Sequence, residues 1–226
     1  MTQSDTFISG LIEKAKKDKD IVLISVAMGA SSLDIWREEL PDQFIFTGIS
    51  EQHSINLAAG LANEGKKVYV YFMAAWLARC FEQIRYSCAM AKNPITLLAN
   101  GVALGYAPAG PAHETNDDIA YMRSILDLEI HSPTNLEMVK TLVDLTYEKP
   151  KLRCIRLERN YAKEFDGCYD GPSIDFLEKG IHPVIEGGKK VALLSYGYML
   201  GRMKDVNKKL SENGIDSTLY DVWKTK

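Results

Sequence analysis

Phe46 to Gly65 reads FTGISEQHSINLAAGLANEG, an apolar strand end, a glycine turn and a run of small helical residues. The apolar run Phe44-Ile45-Phe46 has the length of a short strand, and Gly48 supplies a tight turn. Ser50 is placed to cap a helix of small residues, among them Ala58, Ala59, Gly60 and Ala62, that stops at Gly65. Glu51 then sits at a strand-to-helix junction, where open α/β sheets present groups to ligands. Its neighbours are apolar. The carboxylate is therefore buried with a partner, engaged in chemistry, or an ordinary acidic first-turn residue.

Outward from this stretch, apolar strands alternate with amphipathic helices. Ser4 is placed to cap a first helix with Phe7, Ile8, Leu11, Ile12 and Ala15 on one face. Continuous apolar runs at Ile21–Val26, Val68–Phe72, Ile95–Ala99 and Leu152–Leu157 read as strands buried on both faces, with Glu129–His131 as a shorter one. Helices are predicted around Leu33–Leu40, Asp117–Ile125 and Leu136–Tyr147, and one long helix over Ala74–Ala91, stopped by Asn93-Pro94. This alternation predicts an α/β fold: a parallel sheet with helices on both faces. Residues 1–160 form the main domain on this reading. Residues 161–190, rich in Gly and Pro, read as a linker holding a short hairpin or helix. Residues 191–226 form one strand-helix-strand unit, too small to close a core alone.

Composition narrows the function classes. The chain has 226 residues, 46% hydrophobic, with a net charge of −3 spread along it. No basic stripe points to nucleic acid, and no apolar run has the ~20 residues a membrane helix needs. The four cysteines, Cys80, Cys88, Cys154 and Cys168, make no C-x-x-C pair, so free thiols in a reducing cytoplasm are expected.

GISEQH followed by AAGLA, then KVYVYFMAAWLARCFEQIR, then GPAH, resembles the pyrimidine-binding domain of transketolase and of its relative deoxyxylulose-phosphate synthase. The resemblance implies the thiamine diphosphate-binding pyrimidine-domain fold, with residues 191–226 as the start of the family's carboxyl-terminal α/β domain. It implies a cofactor, thiamine diphosphate, with Glu51 as the glutamate that hydrogen-bonds the aminopyrimidine. That task needs a carboxyl able to share a proton at neutral pH.

Met73, Trp76 and Arg79 fall at i, i+3 and i+6 and make one stripe. In the family an aromatic at the Trp76 position stacks on the pyrimidine, with Met73 beside it; the rival reading makes Trp76 plain core with Phe81 and Ile84. Arg79 matches a substrate-contacting arginine of the synthase branch, or else pairs with Glu82. His113, in Gly110-Pro111-Ala112-His113, matches a histidine that contacts substrate and assists proton transfer. Arg159 matches an arginine that binds substrate phosphate, or else pairs with Glu158, and Ser31 matches a phosphate-contacting serine. His53 lies one residue past a histidine position of the family.

Two departures and one absence qualify the resemblance. Ala27 and Ala109 stand where the transketolase pattern has acids that contact sugar hydroxyls. Nothing matches the Gly-Asp-Gly…Asn motif that holds magnesium and the diphosphate; Asp117-Asp118 reads as a helix start. The resemblance therefore implies the carboxyl-terminal subunit of a split enzyme. A diphosphate-binding partner subunit would hold the magnesium, in a homodimer core or a two-plus-two hetero-oligomer acting on a sugar phosphate or modified sugar. The rivals are a synthase-like condensation, a 2-oxo acid dehydrogenase beta subunit, and a non-catalytic partner-binding scaffold. A diphosphate-binding chain encoded beside this one separates enzyme from scaffold.

Overall fold

The computed structural model describes residues 1–159, 165, 169 and 171–226; Cys168 and the start of the expected linker lie outside them. In chain order the main unit runs α1 (Gln3–Ala15), β1 (Ile21–Ser25), α2 (Ser31–Glu39), β2 (Phe44–Phe46), α3 (Glu51–Asn63) and β3 (Lys67–Met73). It continues with α4 (Phe81–Gln83), β4 (Thr96–Asn100), α5 (Asp118–Met122), β5 (Glu129–His131), α6 (Leu136–Glu148) and β6 (Arg153–Leu157). All six strands are parallel, in the order β2-β1-β3-β4-β6-β5. Every residue of β1, β4 and β6 is buried, as the unbroken apolar runs predict. On one face Phe7, Leu11, Leu23, Trp36, Leu98 and Leu142 pack together. On the other Ile24, Ile55, Val70, Leu77, Ile84 and Leu97 do the same.

The chain leaves β1 for β2 on one side and returns to β3 on the other. That reversal opens a crevice at the carboxyl ends of β1 and β3, the usual ligand position in a doubly wound sheet. The loop after β1, the Glu51 end of α3 and the coil after β3 all emerge there.

Three local expectations are corrected. The first helix is capped by Thr2, not Ser4: Asp5 N donates to Thr2 Oγ1 (3.1 Å), and Thr2 N donates back to the Asp5 carboxylate (3.4 Å). Only Thr2 has an acid three residues on, so only it closes the reciprocal pair. Ser50 holds the cap position of α3, but its hydroxyl donates to Thr47 O (2.7 Å) and caps no helix N–H. The stretch Ala74–Ala91 is not one α-helix. It is a 3-10 coil over Ala74–Cys80, the single turn α4, and a π-helical stretch over Ile84–Met90. Its buried residues explain the change of pitch: Ala74, Leu77 and Cys80 recur every three residues, whereas Ile84 is followed inside by Cys88 and Ala89. Met73 ends β3 and lies outside the coil.

Where it is described, the expected 161–190 linker holds the short helix foreseen there and, beyond it, a strand. It contributes α7 (Ile174–Lys179), packed on α6, and β7 (His182–Ile185). With β8 (Val191–Ser195), α8 (Met199–Glu212) and β9 (Ser217–Asp221) it builds a second sheet, ordered β7-β9-β8 with β7 antiparallel. The reason is burial: among the described residues this unit's own cluster of fully buried apolar side chains is Phe165, Leu200 and Leu219, so it draws in a strand and leans on its neighbour. Trp223 is fully buried, stacked 4.9 Å from Phe176, and its Nε1 donates to Leu177 O (2.9 Å). Ser132 N donates to Trp223 O (2.7 Å) and Thr225 N to Ile130 O (3.0 Å), so the residues after β9 pair along β5.

Two carboxylates sit in the seam between the units. Glu158 accepts from Tyr198 N (2.5 Å), and burial pushes it up to about 7. Asp221 accepts from Thr134 Oγ1 (2.6 Å) and Tyr169 OH (3.1 Å), and burial pushes it up to about 6. An acid whose folded-state value is raised stabilises the fold below its unfolded value and loses that contribution as pH rises through the folded one. The window runs from 4.5 to about 7 for Glu158 and from 3.8 to about 6 for Asp221. Urea unfolding is therefore expected to show stability lost between about pH 4 and pH 7, by a few kcal/mol. Glu158→Gln keeps the acceptor for Tyr198 and should flatten that loss; an unchanged slope would contradict the assignment.

Candidate active site

The turn that delivers Glu51 is closed by its own hydroxyls. Thr47 Oγ1 and Ser54 Oγ lie 2.7 Å apart, and Ser54 Oγ donates to Ser50 O (2.7 Å). Gly48, at φ +64°, makes the bend that a β-carbon would strain. These groups satisfy one another and leave the Glu51 carboxylate to find a partner elsewhere. Its side chain is 9% exposed, and Glu51 Oε1 accepts from Arg79 Nη1 at 2.9 Å. Glu82, the partner expected for Arg79 on the rival reading, instead takes Arg85 (2.9 Å).

Trp76 and Arg79 rise from the coil after β3, three residues apart. In a 3-10 coil that spacing places one side chain above the other. The Arg79 guanidinium lies 5.9 Å from the Trp76 ring centre, and Gln52 Nε2 donates to Arg79 O (3.1 Å), tying the coil to α3. Trp76 is half-buried; Met73 is buried at the end of β3, in the same apolar cluster. Trp76 is thus both core-packed and open on one side.

His113 closes a second 3-10 turn, Pro111–His113, which packs on the Trp76 coil. Its Nδ1 is buried without a hydrogen-bond partner. An unpartnered buried nitrogen on a turn packed against the coil of a half-buried aromatic suits a polar ligand.

Arg159 and Ser31 meet at a separate cavity of about 260 Å³ at the β1/β3 crevice, lined also by Tyr71, Asn100 and Tyr106. The Arg159 guanidinium lies 5.0 Å from the Tyr106 ring centre, and Asn100 Nδ2 donates to Tyr106 OH (3.1 Å). The expected alternative, an Arg159–Glu158 pair, does not form: Glu158 turns to Tyr198. Arg159 and Ser31 therefore sit together, but at this cavity, which Glu51, Trp76 and His113 do not line. His53 is exposed on α3. A larger cavity, about 610 Å³, opens at the opposite end of the sheet beside Glu129 and Lys151, away from these groups.

The sequence profile described as "Transketolase, pyrimidine binding domain" matches residues 2–163. The chain belongs to that family. Over 219 residues it is 28% identical to an apulose-4-phosphate transketolase subunit of Phocaeicola vulgatus, covering 96% of this chain and 69% of that one. It is 32% identical over 220 residues to the 1-deoxy-D-xylulose-5-phosphate synthase of Caldanaerobacter subterraneus, covering 97% of this chain and 35% of the synthase. The chain thus spans about a third of the synthase. The fold matches a split-gene transketolase solved as an inactive β4 tetramer, with TM-score 0.81 and 24% identity over 98% of this chain and 71% of the other. It also matches a Pichia stipitis transketolase in complex with sedoheptulose 7-phosphate, with TM-score 0.83 and 17% identity over 99% and 35%.

The pyrimidine-binding domain fits one end of thiamine diphosphate. A carboxylate, an aromatic face and an apolar wall suit an aminopyrimidine. Among the described residues no three His, Cys, Asp or Glu side chains group to hold a metal ion. Asp118 is committed to Arg156 through two hydrogen bonds, at 2.6 and 3.1 Å. Cys80, Cys88 and Cys154 are free, buried thiols pushed up to about 12 by desolvation, unsuited to nucleophilic work.

Sequence reasoning missed Tyr106 and Asn100, which position Arg159. The signal was Gly101: at φ +73°, a β-carbon there would lie 2.0 Å from the Tyr106 ring. Gly101→Ala should cost about 1–3 kcal/mol in urea unfolding and displace Tyr106. Gly110→Ala, at φ +84° with open space around it, bears the backbone penalty alone and should cost less. Equal losses would mean that Tyr106 does not need the missing β-carbon.

Proposed function

We propose that this chain is the pyrimidine-binding subunit of a split, thiamine diphosphate-dependent transketolase-like transferase that moves a two-carbon ketol unit between sugars. The observation that carries the reading is Glu51: a nearly dry carboxylate paired with Arg79, itself over the Trp76 ring, in a chain whose family is defined by pyrimidine binding. When bound, the cofactor supplies the carbon that accepts and donates the ketol unit. Glu51 holds a proton at the pyrimidine ring edge. Trp76 fixes the plane of the ring, and Met73 backs it with an apolar wall. His113, through its unpartnered Nδ1, orients the substrate carbonyl end and moves a proton there. Arg159 holds the substrate phosphate with its planar fork, Ser31 adds a hydroxyl contact, and Arg79 contacts the substrate's anionic end.

The partner is a diphosphate-binding subunit that carries the magnesium. Two copies of each chain form the working unit, with this chain's own dimer as core. The Phocaeicola relative is named as one subunit of its transketolase, which supports the split arrangement, and its apulose 4-phosphate supports a sugar phosphate substrate. Ala27 and Ala109 put methyl groups where acids would contact sugar hydroxyls, which supports modified sugars. Residues 191–226 belong with the carboxyl-terminal domain of this family. A second reading, a synthase-like condensation, is favoured by Arg79 and by the synthase relatives.

The test is calorimetric titration of thiamine diphosphate with magnesium into this chain alone and into the pair reconstituted with the diphosphate subunit. Saturable, magnesium-dependent heat is expected from the pair alone; tight binding by the single chain would contradict the split site. Turnover by the pair then separates the readings. Transfer from ketose phosphates, with Ala109→Asp shifting preference toward xylulose 5-phosphate, is the expected result. Condensation of a 2-oxo acid with an aldehyde would favour the synthase reading.

A further inference from the structure

The pair joins Glu51, whose side chain is 9% exposed, to Arg79, whose side chain is 58% exposed. Glu51 has no other hydrogen-bond partner among the described residues. A buried carboxylate without a partner is costly, so the empty chain needs something at this position. Arg79 answers with a planar cation that donates an N–H to the carboxylate and lies beside the Trp76 ring, 5.9 Å from its centre. An aminopyrimidine whose ring nitrogen carries the shared proton offers the same three features: planarity, a ring N–H for the carboxylate and a face for the indole.

We infer that Arg79 is a self-ligand: it occupies the pyrimidine position in the empty chain and is displaced when the ring binds. The inference rests on the proposed cofactor reading. The motion is local. Gln52 holds the Arg79 backbone carbonyl (3.1 Å), so the coil stays and only the side chain leaves. More than half the Arg79 side chain already faces solvent, so its release costs little. Once displaced, Arg79 remains at the mouth, within a side chain's length of any anionic group that enters. One residue then serves two successive partners: Glu51 before loading and the substrate afterwards.

This arrangement lowers the apparent affinity for the cofactor. If the pair is closed in about nine of ten empty molecules, the apparent Kd is about tenfold weaker than the intrinsic one. The experiment measures the Kd of thiamine diphosphate with magnesium by calorimetry on the reconstituted pair. It compares wild type, Arg79→Ala, Glu51→Gln and the Glu51→Gln/Arg79→Ala double variant. Arg79 is exposed, so its removal leaves the core intact. Arg79→Ala is expected to tighten binding about tenfold, and the gain should vanish in the Glu51→Gln background, where no ion pair exists to break. An arginine that merely supports the coil would weaken binding when removed. Unchanged or weaker binding by Arg79→Ala, with the wild-type pair binding normally, overturns the self-ligand and leaves the cofactor reading standing. Absence of saturable binding by the wild-type pair overturns both.

Discussion

A carboxylate held almost dry at the end of a parallel sheet is the constraint on which this site depends. Glu51 cannot remain there alone, because desolvation without a partner costs several kcal/mol. Everything around it either creates the burial or answers it. The short strand β2 and the Gly48 bend bring the chain into the crevice. The Thr47, Ser50 and Ser54 hydroxyls satisfy one another and decline to share. The coil after β3, wound at three residues per turn, then sets Trp76 and Arg79 on one side of the acid.

The topology explains why these parts converge. Three connections, after β1, β2 and β3, leave the sheet at the reversal of strand order and need only short excursions to meet. Asn100 and Arg159, at and just past the ends of β4 and β6, reach the same edge from the other side. The result is two adjoining sites, one around Glu51 and one around Arg159, which suits a cofactor ring and a substrate phosphate held apart. The carboxyl-terminal unit contributes at the seam. Glu158, next to Arg159, is anchored on the Tyr198 N–H, and Gly197 leaves it room: a β-carbon there would lie 2.3 Å from the Glu158 carboxylate.

Much of this was legible in the sequence. Continuous apolar runs and period-3.6 patterns are strong signals, so the six parallel strands and most helices fall where the sequence places them. Glu51 was legible because an acid among apolar neighbours at a strand-helix junction is unusual chemistry. The coil after β3 was not, because a window of mixed apolar residues satisfies α, 3-10 and π spacing alike until packing selects among them. Arg79 was read against Glu82, its neighbour in sequence, whereas its partner lies 28 residues away on α3. The Gly- and Pro-rich stretch after β6 read as a connection because turn residues are local signals. The pairing of β7 with β9 is set by apolar surface that the small unit cannot otherwise cover. Apart from the hint at Gly101, Tyr106 went unread because its contact with Arg159 is long-range and has no sequence period.

On the function proposed above, Glu51 works on the pyrimidine of a bound thiamine cofactor. The most direct measurement is the exchange rate of the cofactor's thiazolium proton with solvent deuterium, followed by NMR in the reconstituted pair. The account predicts fast exchange in the wild-type pair and exchange slowed by orders of magnitude in Glu51→Gln, with cofactor still bound and the fold intact. Exchange in the Glu51→Gln pair at the wild-type rate would contradict it.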